Sequence, residues 1–593
     1  MTVESFITQH IDTWTSAVKT KSTSGRGSRK KLNLYGIKKL RELILELAVR
    51  GKLVPQDPND EPASVLLERI AAEKAQLVKE KKIKKPKALS DVTEEDIPFK
   101  LPNGWSWGRV NELSKQVTDG VHHTPKYIEK GIPFISVKDI DGETISFDDC
   151  KYISQEQYTE INQRCNPEFG DVLLCRIGTL GRATIVDTYK PFSLFVSVGL
   201  LKFFNGYLLS AYLHRVFHSP LLLRQYDQIK AGGSHTNKLN LGDIPKLWLP
   251  IAPIEEQHRI VAKVDELMAL CDQLEQQTEA SIEAHQLLVS TLLNTLTHSV
   301  DADELMENWA RISDHFDTLF TTEASIDQLK QTILQLAVMG KLVPQDPNDE
   351  PASVLLERIA EEKAHLIKDK KIKKQKVLPP IADDEKPFDL PKGWEWCHLN
   401  SIISIMDAGW SPACPPEASP NNDTWGVLKT TAVQNMAYLE YENKVLASSK
   451  EPRPQYEVKK GDILITRAGP KNRVGVSCLV QETRPKLMIS DKIIRFHLIE
   501  VGMSENFVSL CLNSGATAAH LESAKSGMAE SQMNISQDKL KVAPVPLAPI
   551  KEQLKIISKV EELLEFCEQL KVKLRSSQTT QLHLTNAIVE QVV

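Results

Sequence analysis

One 21-residue block occurs twice in this 593-residue chain. Residues 51–71 read GKLVPQDPNDEPASVLLERIA, and residues 340–360 repeat every letter. The match extends more loosely on both sides at the same offset of 289 residues, over 40–107 and 329–396, and we call this repeated segment the head. A repeat of this length predicts that the chain folds one structural element twice.

A second repeat follows each head at some distance. PIEEQHRIVAKVDELMALCDQLE (253–275) corresponds to PIKEQLKIISKVEELLEFCEQLK (549–571), with the offset grown to 296, and we call this segment the tail. The two stretches between head and tail are much less alike, although GDVLLCRIG (170–178) resembles GDILITRAG (461–469). The chain therefore consists of two dissimilar inserts held in a nearly duplicated frame.

The repeat predicts five segments. At roughly 100–200 residues per domain, a chain of 593 residues is expected to have about three to five folded units, which agrees with this number. The inserts mix short apolar runs with turns, so we predict a modular α/β (α+β) fold with two globular inserts and an internal pseudo-two-fold repeat. The predicted segments are the first head region at 1–107, insert 1 at 108–252, a central region with the first tail and second head at 253–396, insert 2 at 397–548, and the second tail at 549–593.

The head has the pattern of a helix, a loop and a second helix. Leu40, Leu43, Ile44 and Leu47 are spaced as on one face of a helix, and Gly51 is a typical stop. PQDPNDEP predicts a loop, and the helix after it ends in a lysine-rich tract at 79–87, repeated at 368–376. We assign these tracts to partner docking or nonspecific phosphate contact, although a solvated helix end is the commoner use of such a run.

The tails show apolar residues at alternating spacings of four and three, which is typical of a coiled-coil seam. A helix of ~30 residues would be ~45 Å long, and two such helices packed antiparallel would form a spacer between the inserts. The alternative is that they are ordinary core helices of an α/β domain. The seam residues are Ile260, Val264, Leu267, Cys271 and Leu274 in the first tail, and Ile556, Val560, Leu563, Cys567 and Leu570 in the second.

Composition excludes several classes of protein. The chain is 41% hydrophobic and 25% charged, as expected for a folded protein. We find no apolar run long enough for a membrane span and no secretory signal, so we expect a cytoplasmic protein. The nine cysteines form no CxxC pair and no zinc spacing, and we expect them to be reduced. The net charge of −5 means that any basic surface must be local.

Several motifs together resemble one family. Insert 1 opens with TDGVHHTPKYIEKGIPFISVKDI (118–140), which resembles a recurrent opening of target recognition domains, and insert 2 carries GWSPACPP (409–416) and WGVLKTTAVQ (425–434), which resemble another domain type. With the PIEEQ and PIKEQ tail entries, the layout resembles the specificity (S, HsdS) subunit of type I restriction–modification systems. The AVRGKLVPQDPNDEPASVLLERI head resembles the type IB subgroup.

The resemblance implies a function without a catalytic centre on this chain. Each target recognition domain would read one half of an asymmetric bipartite DNA sequence. The frame would hold two adenine-N6 methyltransferase (HsdM) subunits and, in the full complex, two motor-nuclease (HsdR) subunits. S-adenosylmethionine, ATP and Mg²⁺ would be used by those other subunits, and we expect no cofactor on this chain.

Two other functions are open on the sequence alone: a self-contained DNA methyltransferase, and a coiled-coil scaffold without DNA specificity. The first is disfavoured because Asn166-Pro167-Glu168-Phe169 has Glu168 where the methyltransferase pattern has proline, and no glycine-rich cofactor loop precedes it. GxxxxGK[ST] is absent. His122 and His123 are adjacent in sequence, which is a poor arrangement for a metal on a strand, and we expect no metal site.

Candidate DNA contacts come from polar loops, because neither insert is basic overall: residues 108–250 and 397–546 each have 16 Lys/Arg against 15 Asp/Glu. Glycines beside them permit close backbone approach, and these side chains suit base edges or phosphates. In insert 1 the candidates are His122, His123, Thr124, Lys126, Tyr127, Arg176, Arg182, Ser234, His235, Thr236, Asn237 and Lys238. In insert 2 they are Arg467, Lys471, Asn472, Arg473, Ser531, Gln532 and Asn534, with Trp410 and Lys429 as weaker candidates.

Overall fold

The computed structural model divides the chain into two compact units. Unit 1 contains residues 1–281 and 577–593, and unit 2 contains residues 282–576. The mixed α/β fold class is confirmed, because each unit combines helices with small sheets. The structure describes residues 3–20, 32–85, 97–231, 237–300, 302–374 and 378–592.

Unit 1 contains the first head and insert 1. Its helices are α1 (Val3–Gln9), α2 (Ile11–Ser16), α3 (Tyr35–Val49), α4 (Ala63–Lys79), α5 (Val110–Leu113), α6 (Gln155–Asn162), α7 (Ser210–Phe217), α8 (Pro220–Ile229) and the start of α9 (Ile254–His298). Its strands are β1 (Lys19–Thr20), β2 (Leu32–Asn33), β3 (Ser106–Arg109), β4 (Ser114–Asp119), β5 (Ile132–Ile135), β6 (Lys151–Ile153), β7 (Val172–Cys175), β8 (Ala183–Ile185), β9 (Ser193–Leu194), β10 (Val198–Phe203), β11 (Lys230–Ala231), β12 (Lys238–Leu239) and β13 (Trp248–Ile251).

Unit 2 contains the second head and insert 2. Its helices are α10 (Ala302–Asp314), α11 (Phe316–Leu319), α12 (Glu323–Val338), α13 (Ala352–Lys368), α14 (Leu399–Ile402), α15 (Glu505–Asn513), α16 (Gly515–Ala524), α17 (Gln537–Lys541) and most of α18 (Ile550–Val592). Its strands are β14 (Glu395–His398), β15 (Ile403–Ala408), β16 (Gly426–Leu428), β17 (Val433–Gln434), β18 (Ala437–Tyr438), β19 (Asn443–Val445), β20 (Ile463–Thr466), β21 (Ala468–Gly469), β22 (Ser477–Leu479), β23 (Leu487–Met488), β24 (Ile493–Leu498), β25 (Met533–Asn534) and β26 (Pro544–Leu547).

The helix–loop–helix prediction for the head is confirmed. The periodic residues of α3 are buried, and the helix is followed by Gly51 at φ +65°, a backbone conformation that glycine adopts without strain. A side chain at this position would also meet Pro102, because an added Cβ would lie 2.6 Å from the proline ring. Gly340 after α12 has the same conformation, at φ +71°, and meets Pro391 in the same way.

The two inserts share one sheet plan despite their weak similarity in sequence. Each has a four-stranded antiparallel sheet, β4-β10-β7-β8 in unit 1 and β15-β24-β20-β22 in unit 2. Each also has a three-stranded sheet with one parallel pair, β6-β5-β9 and β19-β16-β23. The GDVLL and GDILI runs form the buried strands β7 and β20, which explains why they are continuously apolar.

The first and last strands of each insert pair with each other. β3 pairs antiparallel with β13, so that Arg109 lies opposite Trp248, and β14 pairs in the same way with β26. Each tail helix begins a few residues later. The glutamine of its PIEEQ or PIKEQ motif, Gln257 or Gln553, is fully buried and accepts a hydrogen bond from the backbone N–H of Leu209 or Ser504. This motif therefore joins each tail helix to its own insert by a buried hydrogen bond.

The tail helices are longer than the sequence predicts. α9 has 45 residues and α18 has 43, about 65 Å each at 1.5 Å per residue, against the ~45 Å expected. The head also packs on the tail: Arg41 of α3 forms ion pairs with Asp272 and Glu275 of α9. Lys330 of α12 pairs with Glu568 of α18 at the matching position.

The seam residues of the second tail divide between two environments. Ile556 and Val560 belong to the core that insert 2 forms with its head helices, as the core-helix alternative expects. Leu563, Cys567 and Leu570 instead pack with α12 and with the end of α9. In the first tail, Ile260, Val264, Leu267, Cys271 and Leu274 are all buried. The apolar stripe of the second tail therefore packs against different partners along its length. The spacing of four and three does not distinguish these partners, because any helix that buries one face shows it.

The head repeat extends further towards the N-terminus than the sequence comparison indicates. The turn into α2 places a hydrogen bond from the N–H of Trp14 to the carbonyl of His10, and Leu319 and His315 form the same bond in unit 2. Trp14 and Leu319 are both buried. The letters HIDTW and HFDTL do align at these positions, but at an offset of 305 residues, which hides the match.

Insert 1 contacts its head through an ion pair whose two head positions carry no charge in unit 2. The buried carboxylate of Glu46 on α3 accepts hydrogen bonds from Arg50 and from Arg224 of α8, at 2.8 and 2.9 Å. The head repeat puts Gln335 and Met339 at the two head positions. The difference between Arg50 in the first head and Met339 in the second therefore coincides with the presence of this ion pair in unit 1.

Two histidine rings meet edge to face beside strand β8 of insert 1. His214 and His218 on α7 are 4.4 Å apart, and the Nε2 atom of His218 accepts a hydrogen bond from the backbone N–H of Ala183. Burial lowers the pKa of His218 to about 4, with a further contribution from His214. Asn513 takes the matching place in unit 2, where its Oδ1 accepts from the N–H of Ser477.

We expect unit 1 to lose stability as the pH falls from about 6.5 towards 4. The folded state keeps His218 neutral while the unfolded chain takes up a proton, so the free energy of unfolding falls by about 2 kcal/mol between pH 7.5 and pH 5. His218→Asn should reduce this loss, as measured by urea unfolding at the two pH values. His583→Asn, at an exposed position on α18, is the control and should leave the loss unchanged. An unaltered pH dependence in His218→Asn would contradict the assignment.

Candidate nucleic-acid interface

Two of the loops predicted to contact DNA lie side by side in each insert. In insert 1, Ile177 is bridged to Lys238, and the N–H of Gly178 donates to the carbonyl of Asn237 at 3.2 Å. In insert 2, the short strands β21 and β25 pair, so that Ala468 lies opposite Asn534. In both inserts, the loop that follows the buried GDVLL or GDILI strand is therefore hydrogen-bonded to a second loop. This second loop contains Asn237 and Lys238 in insert 1 and Asn534 in insert 2.

A third loop reaches the same edge of insert 1. The N–H of Val121 donates to the carbonyl of Leu194 at 3.0 Å, and the N–H of Val196 donates back to Val121 at the same distance. Gly120 permits this approach, since an added Cβ would lie 2.0 Å from the Leu194 oxygen. Gly409 and Trp410 repeat the arrangement against Ile489 in insert 2.

Most of the insert 1 candidates form an exposed polar surface on these loops. The Tyr127 ring rests at an angle against Phe134 and keeps about two fifths of its area exposed. Ser234, His235 and Thr236 lie outside the described residues. The exposed candidates are His122, His123, Thr124, Lys126, Tyr127, Arg182, Asn237 and Lys238. Their contact with DNA stays a prediction.

Arg176 is buried and does not belong to this exposed surface. Its guanidinium donates to the carboxylate of Asp119 at 2.6 Å and to the carbonyls of Val196 and Leu239. Only 7% of the residue is exposed. Its donors are engaged by the three loops that meet at this edge, and its contact with DNA stays a prediction.

Asp119 is the centre of a cluster of side chains. Besides Arg176, its carboxylate contacts Arg164 at 3.0 Å and His122 at 3.2 Å, and Arg164 also donates to the carbonyls of Asp119 and Gly120. We call Asp119, His122, Arg164 and Arg176 the Asp119 cluster. A buried carboxylate paired in this way fixes the course of the backbone that leaves it.

A cleft of about 250 Å³ opens beside the Asp119 cluster. Its lining includes His122, His123, Glu160 and Arg164. Cys165 forms its wall, and burial raises the pKa of this thiol to about 12, so it is a neutral group and not a nucleophile. Within the described ranges, no group of three or more His, Cys, Asp or Glu side chains is arranged to hold a metal ion.

Insert 2 presents a comparable edge. Lys471 pairs loosely with Glu530 across the two joined loops, at 3.5 Å, and Arg467 is half-buried at the point where the loops meet. The exposed candidates are Lys471, Asn472, Ser531, Gln532 and Asn534. Here too, contact with DNA stays a prediction.

Three insert 2 candidates have structural partners. Arg473 donates to the side chain of Gln434 and to the carbonyls of Thr430 and Val433, which ties its loop to a neighbouring turn. Contact of Arg473 with DNA stays a prediction. Lys429 is paired with Glu442 at 3.1 Å.

Trp410 packs against the apolar cluster formed by Val427, Leu446 and Met488. Its ring is also covered by the guanidinium of Arg453, 4.1 Å from the ring centroid. Trp410 therefore packs within insert 2, and its contact with DNA stays a prediction.

Sequence reasoning missed Asp119 and Arg164. Asp119 stands 57 residues before Arg176, and the only local sign of its role is the glycine that follows it. Arg164 stands in a polar stretch after α6 with no distinguishing neighbour. The lysine tracts at 79–87 and 368–376 are exposed as far as they are described, and their role stays a prediction. No helix in the described part of the chain is long and apolar enough to cross a bilayer.

Comparison with known proteins gives consistent matches. Residues 104–284 match the family model described as the type I restriction modification DNA specificity domain. The chain is 55% identical over 601 residues to the type I restriction enzyme EcoEI specificity subunit of Escherichia coli, covering 100% of this chain and 99% of that protein. It is 42% identical over 612 residues to the EcoAI specificity subunit of Escherichia coli, covering 100% of both chains.

The chain is also similar to a solved structure from work on the complex assembly and conformational transition of the type I R-M system. The identity is 17% and the TM-score is 0.47, and the match covers 84% of this chain and 99% of that one.

We expect Gly120→Ala to displace the loop that carries the insert 1 candidates. The new methyl group would meet the Leu194 carbonyl, and overpacking of this kind typically costs about 1–3 kcal/mol. Urea unfolding measures the loss. Gly206→Ala is the matched control, since nothing lies within 4 Å of its Cβ position. Equal stability of the two variants would contradict the close approach.

Proposed function

Because the chain belongs to the family of type I restriction enzyme specificity subunits, we propose that each insert reads one half of an asymmetric two-part DNA sequence. The observation that carries this proposal is the repeated edge: in both inserts, polar loops from distant parts of the sequence are joined at one place. Base edges are read by side chains that a scaffold holds in fixed positions relative to one another. The joined loops of both inserts hold their polar side chains in this way.

The two inserts would read different half-sites. Their frames are alike, but apart from Arg176 and Arg467 the candidate residues at matching places differ. Val121 corresponds to Trp410, and Lys238 corresponds to Asn534, as the shared bonding pattern of the loops indicates. Lysine and asparagine prefer different base edges, guanine and adenine respectively, so different specificities are expected from the same fold.

We assign partner docking to the frame. Two like partners need two like surfaces, and the repeated heads and tails supply them. We propose that two methyltransferase subunits bind there and that two motor-nuclease subunits join in the full complex. The chain itself would be non-catalytic, with S-adenosylmethionine, ATP and Mg²⁺ bound by those partners. Such a complex would act in the cytoplasm, where the DNA is.

The first test is a binding selection from random duplex DNA. The chain is co-purified with its methyltransferase partner, and bound duplexes are sequenced. We expect one asymmetric sequence in two parts with a fixed gap. Recovery of no sequence, with only salt-sensitive nonspecific binding, would overturn the proposal. Binding of S-adenosylmethionine by the isolated chain would instead favour a self-contained methyltransferase.

Replacement of one insert tests the modular assignment. Exchange of residues 108–250 for the corresponding part of another family member should change one half-site and leave the other intact. The physical reason is that β3 and β13 hold the two ends of the insert together. The same selection provides the measurement, with the unaltered chain as control. A change in both half-sites would contradict the assignment of one half-site to each insert.

A further inference from the structure

Two arginines occupy the same backbone position in the two inserts. Arg176 follows Cys175, the last residue of β7, and Arg467 follows Thr466, the last residue of β20. The N–H of Arg176 donates to the carbonyl of Ser197, and its own carbonyl accepts from Leu239. Arg467 makes the same pair of bonds with Lys492 and Ile535. The two side chains therefore start from equivalent points.

The residue that faces the arginine differs between the inserts. The register of β4 against β10 places Asp119 opposite Gly199, and the register of β15 against β24 places Ala408 opposite Ile494. The glycine that follows, Gly120 or Gly409, approaches a carbonyl in the same way in both inserts. Ala408 thus takes the place of Asp119.

The neighbouring acid in insert 2 is already engaged. Asp407 accepts two hydrogen bonds from Arg495, at 3.0 and 2.7 Å. Among the residues that the structure describes, the Arg467 guanidinium has no hydrogen-bond or ion-pair partner, although the residue is half-buried. A guanidinium is charged at every physiological pH, so a half-buried one without an acid beside it favours binding of an anion.

The surroundings of Arg467 fit a nucleic acid. The side chains of Lys492, Asn534 and Gln532 are exposed on the residues that bond to its loop or adjoin it. In insert 1 the equivalent charge is neutralised internally by Asp119 at 2.6 Å. The two inserts differ here by one carboxylate. Arg176 is therefore held within the protein, whereas the guanidinium of Arg467 keeps its hydrogen-bond donors available.

We propose that the two arginines have divided roles: Arg467 contacts the DNA of the second half-site, whereas Arg176 is a positioning residue that holds the loops of insert 1 and touches no DNA. The residue at 119 or 408 decides which role the arginine takes. This proposal rests on the proposed function, because it concerns how each insert reads its half-site.

The test places a carboxylate in insert 2. Ala408→Asp should capture Arg467 as Asp119 captures Arg176. Affinity of the chain, co-purified with its methyltransferase partner, for the selected two-part duplex should fall about tenfold. The slope of log K against log[salt] should become shallower by about one, as for the loss of one phosphate contact. Ala408→Asn is the matched control without charge and should keep both the affinity and the slope.

A double-variant cycle separates capture from simple repulsion of DNA by the new acid. Arg467→Gln alone should reproduce the loss, and Ala408→Asp added to it should cost nothing more. Additive losses, or full affinity in Arg467→Gln, would overturn the proposal.

Arg176 is tested by its distinct signature. Arg176→Gln should leave the salt slope unchanged while discrimination at the first half-site decreases, because no phosphate contact is lost but the loops are released. A shallower slope in Arg176→Gln would contradict the positioning role. If the unaltered chain shows no sequence-specific binding, the proposed function fails; if it binds and these variants do not differ, only the division of roles fails.

Discussion

In each unit, the first and last strands of the insert are hydrogen-bonded to each other, and this pairing limits where every other element can lie. β3 with β13 and β14 with β26 each bring residues about 140 to 150 positions apart into one short sheet. The turn before β3 then meets the start of α4, through a bond from the N–H of Ala63 to the carbonyl of Gly104, and unit 2 repeats it between Ala352 and Gly393. Head, insert and tail are thus joined at one place, and the candidate loops, which follow other strands of the insert, can vary without disturbing it.

Much of the frame is predictable because its signals are local. The apolar period of α3, the prolines of the loop and the glycine at 51 each act within a few residues. The PIEEQ motif also has a local reason, since Gln257 bonds both to the carbonyl of Ala252 and to the neighbouring α7. The lengths of α9 and α18 were underestimated because their apolar stripe blurs where each helix changes packing partner.

The candidate interface is less predictable, because its decisive partners are distant in sequence. Glycines and polar residues indicate the correct loops, and the structure joins those loops in both inserts. Nothing in GDVLLCRIG shows that Arg176 is neutralised by an aspartate 57 residues earlier, or that the similar GDILITRAG lacks such an acid. The partners of Arg473 are hidden from the sequence for the same reason, since Gln434 and two carbonyls on a separate turn engage its donors. Exposure depends on tertiary packing that a single sequence does not encode locally.

The ion pair between Glu46 and Arg224 bears on how such chains diversify. Arg224 lies on insert 1, and the acid that pairs with it lies on the head, which in the second copy has Gln335 instead. An insert carried by recombination from the first position to the second would arrive with an arginine facing an amide, and would lose a charge-assisted bond at its boundary. Inheritance of inserts is therefore expected to favour exchange between corresponding positions of different chains over exchange within one chain. The order in which the two halves of the DNA sequence are read would then persist over longer evolutionary times than either half itself.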